Sequence, residues 1–187
     1  QKKVFLKNLY TDFYIVFRNS LIGLPEKRKL VELGSGGGFI KDIIPDVITS
    51  DVIKLPDVDL NFSGTSMPFK NESVDRFFML NVIHHINDAR MFFKEIDRCL
   101  KKNGKLIAVE PANTLWGRFI YQNFHHDEDF DPKGGWTLKS QKALSDANGA
   151  IPWIIFMRDR KKFEKLFPNL KIIKITSHSP IRYLISG

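Results

Sequence analysis

Short apolar runs bounded by turn residues recur through the middle of the chain. They lie near Val31, at 47–50, near Val58, within 77–85 and at 105–109. Runs of this length and composition are typical of buried strands. Between the last two runs, residues 88–102 show the periodicity of an amphipathic helix, which Asn103-Gly104 is predicted to end. A strand, a helix and a strand at this spacing predict a right-handed parallel crossover and an α/β fold.

The other connections in this region are short. Pro45 limits the helix after the first strand to residues 39–44, and no helix fits between Asp51 and the third strand. A longer helix is predicted at 6–22. Its aromatic residues are Tyr10, Phe13, Tyr14 and Phe17. We interpret this stripe as core packing, with closure of a pocket as the alternative.

Four glycines lie within five residues directly after the first strand. They are Gly34, Gly36, Gly37 and Gly38. Because glycine tolerates positive φ and lacks a Cβ, such a turn can bring backbone N–H groups against a cofactor. A dinucleotide motif would need glycine where Phe39 stands, and no Gly-Lys-Ser/Thr follows for a phosphate loop. A tight turn that binds no ligand is the alternative.

The pattern that remains is E-x-G-x-G-x-G, formed by Glu32, Gly34, Gly36 and Gly38. It resembles the first motif of the class I S-adenosylmethionine (SAM)-dependent methyltransferases. The resemblance covers residues 30–111, where the turn 66–69, Ser73-Val74-Asp75 and a His-His pair follow in the order of the small-molecule branch. It implies a Rossmann-like doubly wound sheet in three layers, α/β/α, with trimmed helices after strands 1 and 2.

The C-terminal part is predicted to complete that sheet. Residues 170–176 form a predicted sixth strand and residues 181–186 a seventh. The resemblance implies a mostly parallel sheet whose last strand is antiparallel.

The resemblance also implies SAM as the cofactor and assigns residues to it. Backbone at Gly34, Ser35 and Gly36 is expected to contact the cofactor. Asp51, 17 residues after Gly34, is expected to accept hydrogen bonds from the ribose hydroxyls. Capping of a turn is the alternative role for Asp51, and Asp57 and Asp59 are nearby competitors.

The resemblance also indicates residues that contact the adenine and the amino-acid end of SAM. Ser63 stands where many relatives carry an Asp that binds the adenine amino group, so backbone at Gly64 and Thr65 is expected to replace it. Met67 or Phe69 is expected to pack on the ring. The two residues expected near the amino-acid end are Glu32 and Asn81.

His84 and His85 come at the end of the fourth strand, where open α/β sheets bind ligands. One of them could be the general base that removes a proton from the acceptor, since imidazole titrates near neutrality. A structural histidine bonded to backbone is the alternative.

The long connection at 112–150 is predicted to bind the acceptor. Its candidate residues are Phe124, His125 and His126. Adjacent histidines point apart on a regular backbone, so no metal site is predicted here. A solvated loop is the alternative.

The length of 187 residues, 43% of them hydrophobic, suits one compact domain. We predict a single domain over 1–187, divided into an N-terminal cap at 1–29, a cofactor-binding core at 30–111, the acceptor loop at 112–150 and a C-terminal helix and strands at 151–187. The single cysteine, Cys99, is expected in the core. The sequence contains no run of 18 apolar residues, which a membrane span would need, and no recognisable signal segment. A cytoplasmic protein is therefore expected.

The net charge of +8 raises the question of nucleic-acid binding. The basic residues are spread along the chain, and Asn81-Val82-Ile83-His84 stands in place of the motif of base-amine methyltransferases. We therefore expect a small-molecule or carbohydrate/lipid-linked acceptor that is methylated on oxygen or nitrogen, and the positive net charge suits an anionic acceptor. An RNA-associated methyltransferase and a non-catalytic SAM-binding partner subunit are the alternatives.

Overall fold

The structure is a computed structural model that describes residues 2–114, 119, 129–138 and 147–177. The chain divides into two compact units. Gln1–Val82 with Arg98–Val109 form the first, and Ile83–Asp97 with Glu110–Gly187 form the second. All residues predicted to bind the cofactor belong to the first unit, whereas His84 and His85 belong to the second.

Five parallel strands make up the sheet of the first unit. They are β1 (Leu30–Leu33), β2 (Val47–Asp51), β3 (Leu60–Asn61), β4 (Val74–Leu80) and β5 (Leu100–Val109). Their order is β3-β2-β1-β4-β5, the Rossmann-like order that reverses between β1 and β4. Every residue of β1 and of β4 is buried, as expected of central parallel strands. The predicted α/β fold is confirmed, although β3 begins two residues after Val58.

The helix α1 (Lys2–Asn19) supplies much of the core of this unit. Its residues Phe13, Tyr14 and Phe17 are buried in one cluster with side chains of the sheet. The Phe17 ring stacks on that of Phe78 in β4, with centroids 5.0 Å apart and planes at 18°. Burial of a phenylalanine side chain contributes about 1.5–3 kcal/mol. The prediction of core packing for this stripe is confirmed.

The connections on either side of β2 are short, as predicted. A single 3₁₀ turn, Ile40–Asp42, stands between β1 and β2, and no helix joins β2 to β3. Pro45 lies in the first connection, two residues before β2, and lacks the N–H that a longer helix would need.

The start of β5 departs from prediction. The helix α2 (Ala89–Cys99) ends before Asn103-Gly104, which lies inside β5 and does not stop the helix. Residues 101–104 have no partner in the register with β4, so they form a bulge. Asn103 takes a φ of +67° in it. Asn-Gly therefore makes a turn here as its composition suggests, but the turn interrupts a strand.

In the described part of the second unit, three short helical segments follow one another: α3 (Ile151–Trp153), a π-helical turn (Ile154–Arg158) and α4 (Arg160–Leu166). The strand predicted at 170–176 is wrong, because these residues pair with no strand in the described part of the chain. Ile173 and Ile175 are 77% and 52% exposed. An apolar run becomes a strand only where a sheet edge pairs with it. The strand predicted at 181–186 lies outside the described residues.

Candidate functional site

The glycine turn is anchored to the neighbouring strand β2. The Ser35 N–H donates to the Ser50 carbonyl oxygen at 2.9 Å, and the Ser50 N–H donates to Ser35 Oγ at 3.2 Å. Ser50 Oγ donates to the Glu32 carbonyl oxygen at 2.7 Å. These bonds hold the turn at the carboxyl edge of the sheet, where open α/β sheets bind ligands.

Gly34 and Gly36 occupy left-handed backbone conformations, with φ of +68° and +51°. Other residues adopt this region at a cost of about 1–2 kcal/mol. A Cβ on Gly34 would lie 2.6 Å from Val82 Cγ2, so packing within the unit requires glycine there. A Cβ on Gly36 would meet no atom within 4 Å. The backbone of Gly36 therefore faces open space that a ligand could fill.

Asp51 lies directly beside this glycine turn. The Gly36 N–H donates to Asp51 Oδ2 at 2.9 Å, and the Ile53 N–H donates to Asp51 Oδ1 at 2.9 Å. Each carboxylate oxygen keeps further acceptor capacity after these bonds, because an ionised carboxylate has about four lone-pair sites. The structure thus brings together Gly36 and Asp51, as the ribose assignment requires.

Asp59, the nearby alternative to Asp51 as the ribose-binding carboxylate, makes other contacts. Asp59 Oδ2 accepts from the Thr49 N–H at 2.8 Å, and Asp59 Oδ1 accepts from Lys41 Nζ at 2.6 Å. Hydrogen bonding from Lys41 is the largest cause that lowers the pKa of this carboxyl. These contacts assign Asp59 to holding β2.

Glu32 is a buried carboxyl group at the end of β1, with 2% of its surface exposed. The pKa of Glu32 is raised to about 7, mainly by burial and to a smaller extent by the nearby Asp51 carboxylate. The side chains of Ser35 and Tyr14 lower it, since donation from a hydroxyl favours the ionised form. Glu32 Oε2 is buried without a hydrogen-bond partner in the described part of the chain. Such an atom is costly to keep, and a donor supplied by a ligand would satisfy it.

Asn81 follows the last residue of β4 and has a φ of +57°. Its N–H donates to the Val109 carbonyl oxygen at 2.9 Å, which fixes this conformation. Non-glycine residues in the left-handed region are uncommon and cluster at ligand sites. Because β4 is the neighbour of β1, Asn81 and Glu32 lie at the ends of adjacent strands, on either side of the point where the strand order reverses.

The turn expected to bind adenine is only partly accessible. Gly64 and Thr65 are half-buried within a turn closed by the Ser66 N–H, which donates to the Ser63 carbonyl oxygen at 2.9 Å. Met67 is 5% exposed. This burial leaves little of its side chain to pack on an adenine ring.

Phe69, the other residue expected against adenine, packs in the core. Its ring contacts those of Phe62 and Phe77 at centroid distances of 5.5 and 6.1 Å. Ring stacking on adenine therefore finds little free surface at Phe69. The backbone at Gly64 and Thr65 stays the prediction for adenine recognition.

His84 forms a buried pair with Glu110, a residue that no sequence motif indicated. His84 Nδ1 lies 2.7 Å from Glu110 Oε2, and the two side chains are 2% and 7% exposed. The Ile83 N–H donates to the other carboxylate oxygen of Glu110 at 2.8 Å, and the Asn148 N–H donates to the His84 carbonyl oxygen at 3.0 Å. The His85 ring stands 4.2 Å from that of His84. Glu110 could have been found from its position directly after β5, the strand that pairs with β4.

The three residues expected to bind the acceptor cannot be placed in the structure. Phe124, His125 and His126 lie outside the described residues. Within the described ranges no group of three His, Cys, Asp or Glu side chains could hold a metal ion, and no helix is long and apolar enough to cross a membrane. A surface groove of about 490 Å³ follows β2, but no residue assigned to the cofactor lines it. Its lining residues are Lys54, Leu55, Pro56, Val58, Asp59, Leu60 and Asn61.

Comparison with known proteins gives one family match. Residues 31–108 match a family model described as a methyltransferase domain. No curated protein matches the sequence significantly.

Several solved structures are similar to the chain. A SAM-dependent methyltransferase from Thermotoga maritima, described as a possible histamine N-methyltransferase, is 24% identical over 63% of this chain and 65% of that one, with a TM-score of 0.47. The geranyl diphosphate C-methyltransferase of Streptomyces coelicolor, solved with S-adenosylhomocysteine, is 15% identical over 64% and 56%, with a TM-score of 0.49. The YcgJ protein of Bacillus subtilis is 19% identical over 52% and 50%, with a TM-score of 0.44. The chain thus spans from half to just under two thirds of their length.

Proposed function

We propose that this chain, whose residues 31–108 match a methyltransferase domain, is a SAM-dependent methyltransferase that transfers the methyl group of SAM to the oxygen or nitrogen of a small-molecule or carbohydrate/lipid-linked acceptor. Residues 30–111 hold the cofactor in this proposal, and residues 112–150 bind the acceptor. The net charge of +8 favours an anionic acceptor.

The contact between Gly36 and Asp51 carries the proposal. It joins a backbone segment that faces open space to a carboxylate with acceptor capacity left for two hydroxyls, which suits a ribose. Glu32 adds an unpartnered buried carboxylate oxygen, which suits an ammonium group. These residues fit the hydroxyls and the amino-acid end of SAM.

In this proposal His84 is the general base that removes the proton of the acceptor. When bound, SAM supplies a methyl group already activated on a sulfonium sulfur, so the protein mainly orients the acceptor and excludes water. An attacking hydroxyl must lose its proton as the new bond to carbon forms, and an imidazole can take it. With Nδ1 held by Glu110, His84 Nε2 is the atom assigned to receive that proton.

Isothermal titration with SAM and S-adenosylhomocysteine tests the cofactor site. We expect saturable binding by the wild type, no specific binding of NADH, and loss of binding in Gly36→Val, because a branched side chain fills the open space beside Asp51. Gly37→Ala is the matched control, since a Cβ on Gly37 also meets no atom within 4 Å but its φ is not left-handed. Thermal melts of both variants show whether the fold survives.

Equal binding by the wild type and a folded Gly36→Val would refute this site. A screen of methyl transfer from labelled SAM to sugar, quinone, lipid-carrier and RNA pools then addresses the acceptor. Cofactor binding without turnover on any pool would favour the non-catalytic subunit. Affinity for RNA that falls steeply with salt would favour the RNA-associated enzyme.

A further inference from the structure

The turn at 63–66, which is expected to bind adenine, begins beside the residue expected to bind ribose. Asn61 of β3 pairs with Asp51 of β2. The Phe62 N–H donates to the Asp51 carbonyl oxygen at 3.1 Å, and Asn61 Nδ2 donates to the same oxygen at 2.9 Å. Because Phe62 directly precedes the turn and adenine is joined directly to ribose in SAM, the turn is suited to contact the base of a ligand whose ribose lies at Asp51.

The hydrogen bonds within this turn are local. The Ser66 N–H donates to the Ser63 carbonyl oxygen at 2.9 Å, and the Thr65 N–H donates to Ser63 Oγ at 3.3 Å. Ser63 and Ser66 are exposed, whereas Gly64 and Thr65 are half-buried. Local bonds in a solvent-exposed turn give little resistance to opening. The position of the turn therefore depends also on the segment that follows it.

Arg98, the penultimate residue of α2, holds that segment. Its Nη2 donates to the Met67 carbonyl oxygen at 3.0 Å. Its Nη1 donates to the Phe69 carbonyl oxygen at 2.7 Å and to Asn71 Oδ1 at 3.0 Å. Such charge-assisted hydrogen bonds are stronger than neutral ones. A planar guanidinium directs its N–H groups to several acceptors from one rigid fork, which a lysine ammonium does not reproduce.

The backbone at the end of α2 adds two bonds to the same segment. The Glu72 N–H donates to the Arg98 carbonyl oxygen at 2.9 Å, and the Ser73 N–H donates to the Cys99 carbonyl oxygen at 2.9 Å. Glu72 has a φ of +48°. A residue other than glycine persists in this region only where its surroundings fix it. The segment after the turn is thus held by both the side chain and the backbone of Arg98.

We infer that Arg98 is a positioning residue for adenine, whose guanidinium holds the carbonyl groups of Met67 and Phe69 and thereby fixes the turn at 63–66 against the base of SAM. The inference rests on the proposed function and extends it, because it makes recognition of the base depend on a side chain outside the turn. The effect of Arg98 on the cofactor is exerted through the backbone of the turn.

The test compares Arg98→Met with Arg90→Met, the same substitution on the same helix. Arg90 is exposed, and its side chain makes no hydrogen bond in the described part of the chain. The two ligands are S-adenosylhomocysteine and S-inosylhomocysteine, which differ only in the base. Hypoxanthine has a donor at N1 and an acceptor at position 6, where adenine has an acceptor and a donor. Backbone groups of a fixed turn therefore distinguish the two bases.

Isothermal titration measures both affinities in each protein. We expect the wild type to bind S-adenosylhomocysteine at least about tenfold more tightly than S-inosylhomocysteine. Arg98→Met should bind S-adenosylhomocysteine about tenfold more weakly than the wild type and prefer it over the inosine ligand by about threefold or less. Arg90→Met should keep the affinity and the preference within about twofold.

The preference for adenine distinguishes positioning from a merely structural role. A variant that is partly unfolded loses affinity for both ligands by the same factor, so the ratio of the two affinities stays unchanged. Thermal melts report whether each variant is folded. Arg98→Lys keeps the positive charge in the last turn of α2 and repeats the comparison if Arg98→Met does not fold. Its preference for adenine should also lie below that of the wild type.

The outcomes separate this inference from the proposed function. If the wild type prefers S-adenosylhomocysteine and a folded Arg98 variant keeps that preference, the inference fails and the proposed function stands. The same holds if the wild type binds both ligands equally, or if Arg90→Met loses the preference as Arg98→Met does. If the wild type binds neither ligand, both the inference and the proposed function fail.

Discussion

Replacing Glu32 by glutamine should stabilise the protein above neutral pH and weaken its hold on the cofactor. The pKa of Glu32 is raised to about 7 by burial, whereas an ordinary glutamate has 4.5. A raised carboxyl pKa means that the fold favours the protonated form, while the unfolded chain ionises freely. The cost to folding is therefore absent below pH 4.5, grows as the pH rises and is complete above about 7.

The size of this cost follows from the two pKa values. One pKa unit corresponds to about 1.36 kcal/mol. A rise of the Glu32 pKa from 4.5 to about 7 therefore lowers the free energy of unfolding by about 3 kcal/mol at alkaline pH. Glutamine at 32 carries no charge at any pH and removes this cost. If the glutamine amide is left without a hydrogen-bond partner, this gain in stability is reduced by about 1 kcal/mol or more.

Urea unfolding of the wild type and Glu32→Gln between about pH 5 and pH 8 measures the effect. The difference in unfolding free energy between the two proteins should shift in favour of the variant by about 2 to 3 kcal/mol over this range. The other titrating groups are shared by both proteins and largely cancel. Titration with S-adenosylhomocysteine should show weaker binding by the variant. A stability difference that stays constant with pH would refute the reasoning.

Two further predictions concern the acceptor. Glu110→Gln should lower kcat by about tenfold or more while S-adenosylhomocysteine affinity stays within about twofold, and adding His84→Gln should lower it little further, because the two side chains act as one unit; additive losses would contradict this. Replacing Phe124, His125 and His126 together by alanine should cut methyl transfer by at least about tenfold, or about 1.4 kcal/mol, with SAM affinity within about threefold. Collapse of SAM binding in a folded triple variant would place that loop at the cofactor.

The central strands β1 and β4 could be predicted because all their residues are buried, so that most of each strand is an apolar run. The predicted run at 47–50 lies within β2 and the predicted run at 77–85 overlaps β4, and neither prediction needed knowledge of a partner strand. The end of α2 could not be predicted in the same way. Asn103-Gly104 is a good turn signal, but the signal does not say whether a helix or a strand is interrupted.

The candidate site likewise contains residues that a local sequence pattern indicates and residues that it does not. Glu32, Gly34 and Gly36 lie within one short motif, so their chemistry is legible as a local pattern. Glu110 lies 26 residues from His84, and only the pairing of β4 with β5 indicates that the ends of these strands are neighbours. Contacts of this kind depend on strand order and register, which local pattern does not provide.

Three features at one edge of the sheet cost stability without serving the packing of the first unit. The Glu32 carboxyl is buried with one oxygen unpartnered, Asn81 is held at positive φ, and Gly36 keeps open space where a side chain would meet no atom. Gly34 differs, because Val82 fills the space that its side chain would need. Costs of this kind persist where they serve binding, since selection for stability alone would remove them. Their concentration at the carboxyl edge of the sheet is therefore an argument for a cofactor site that does not depend on the motif.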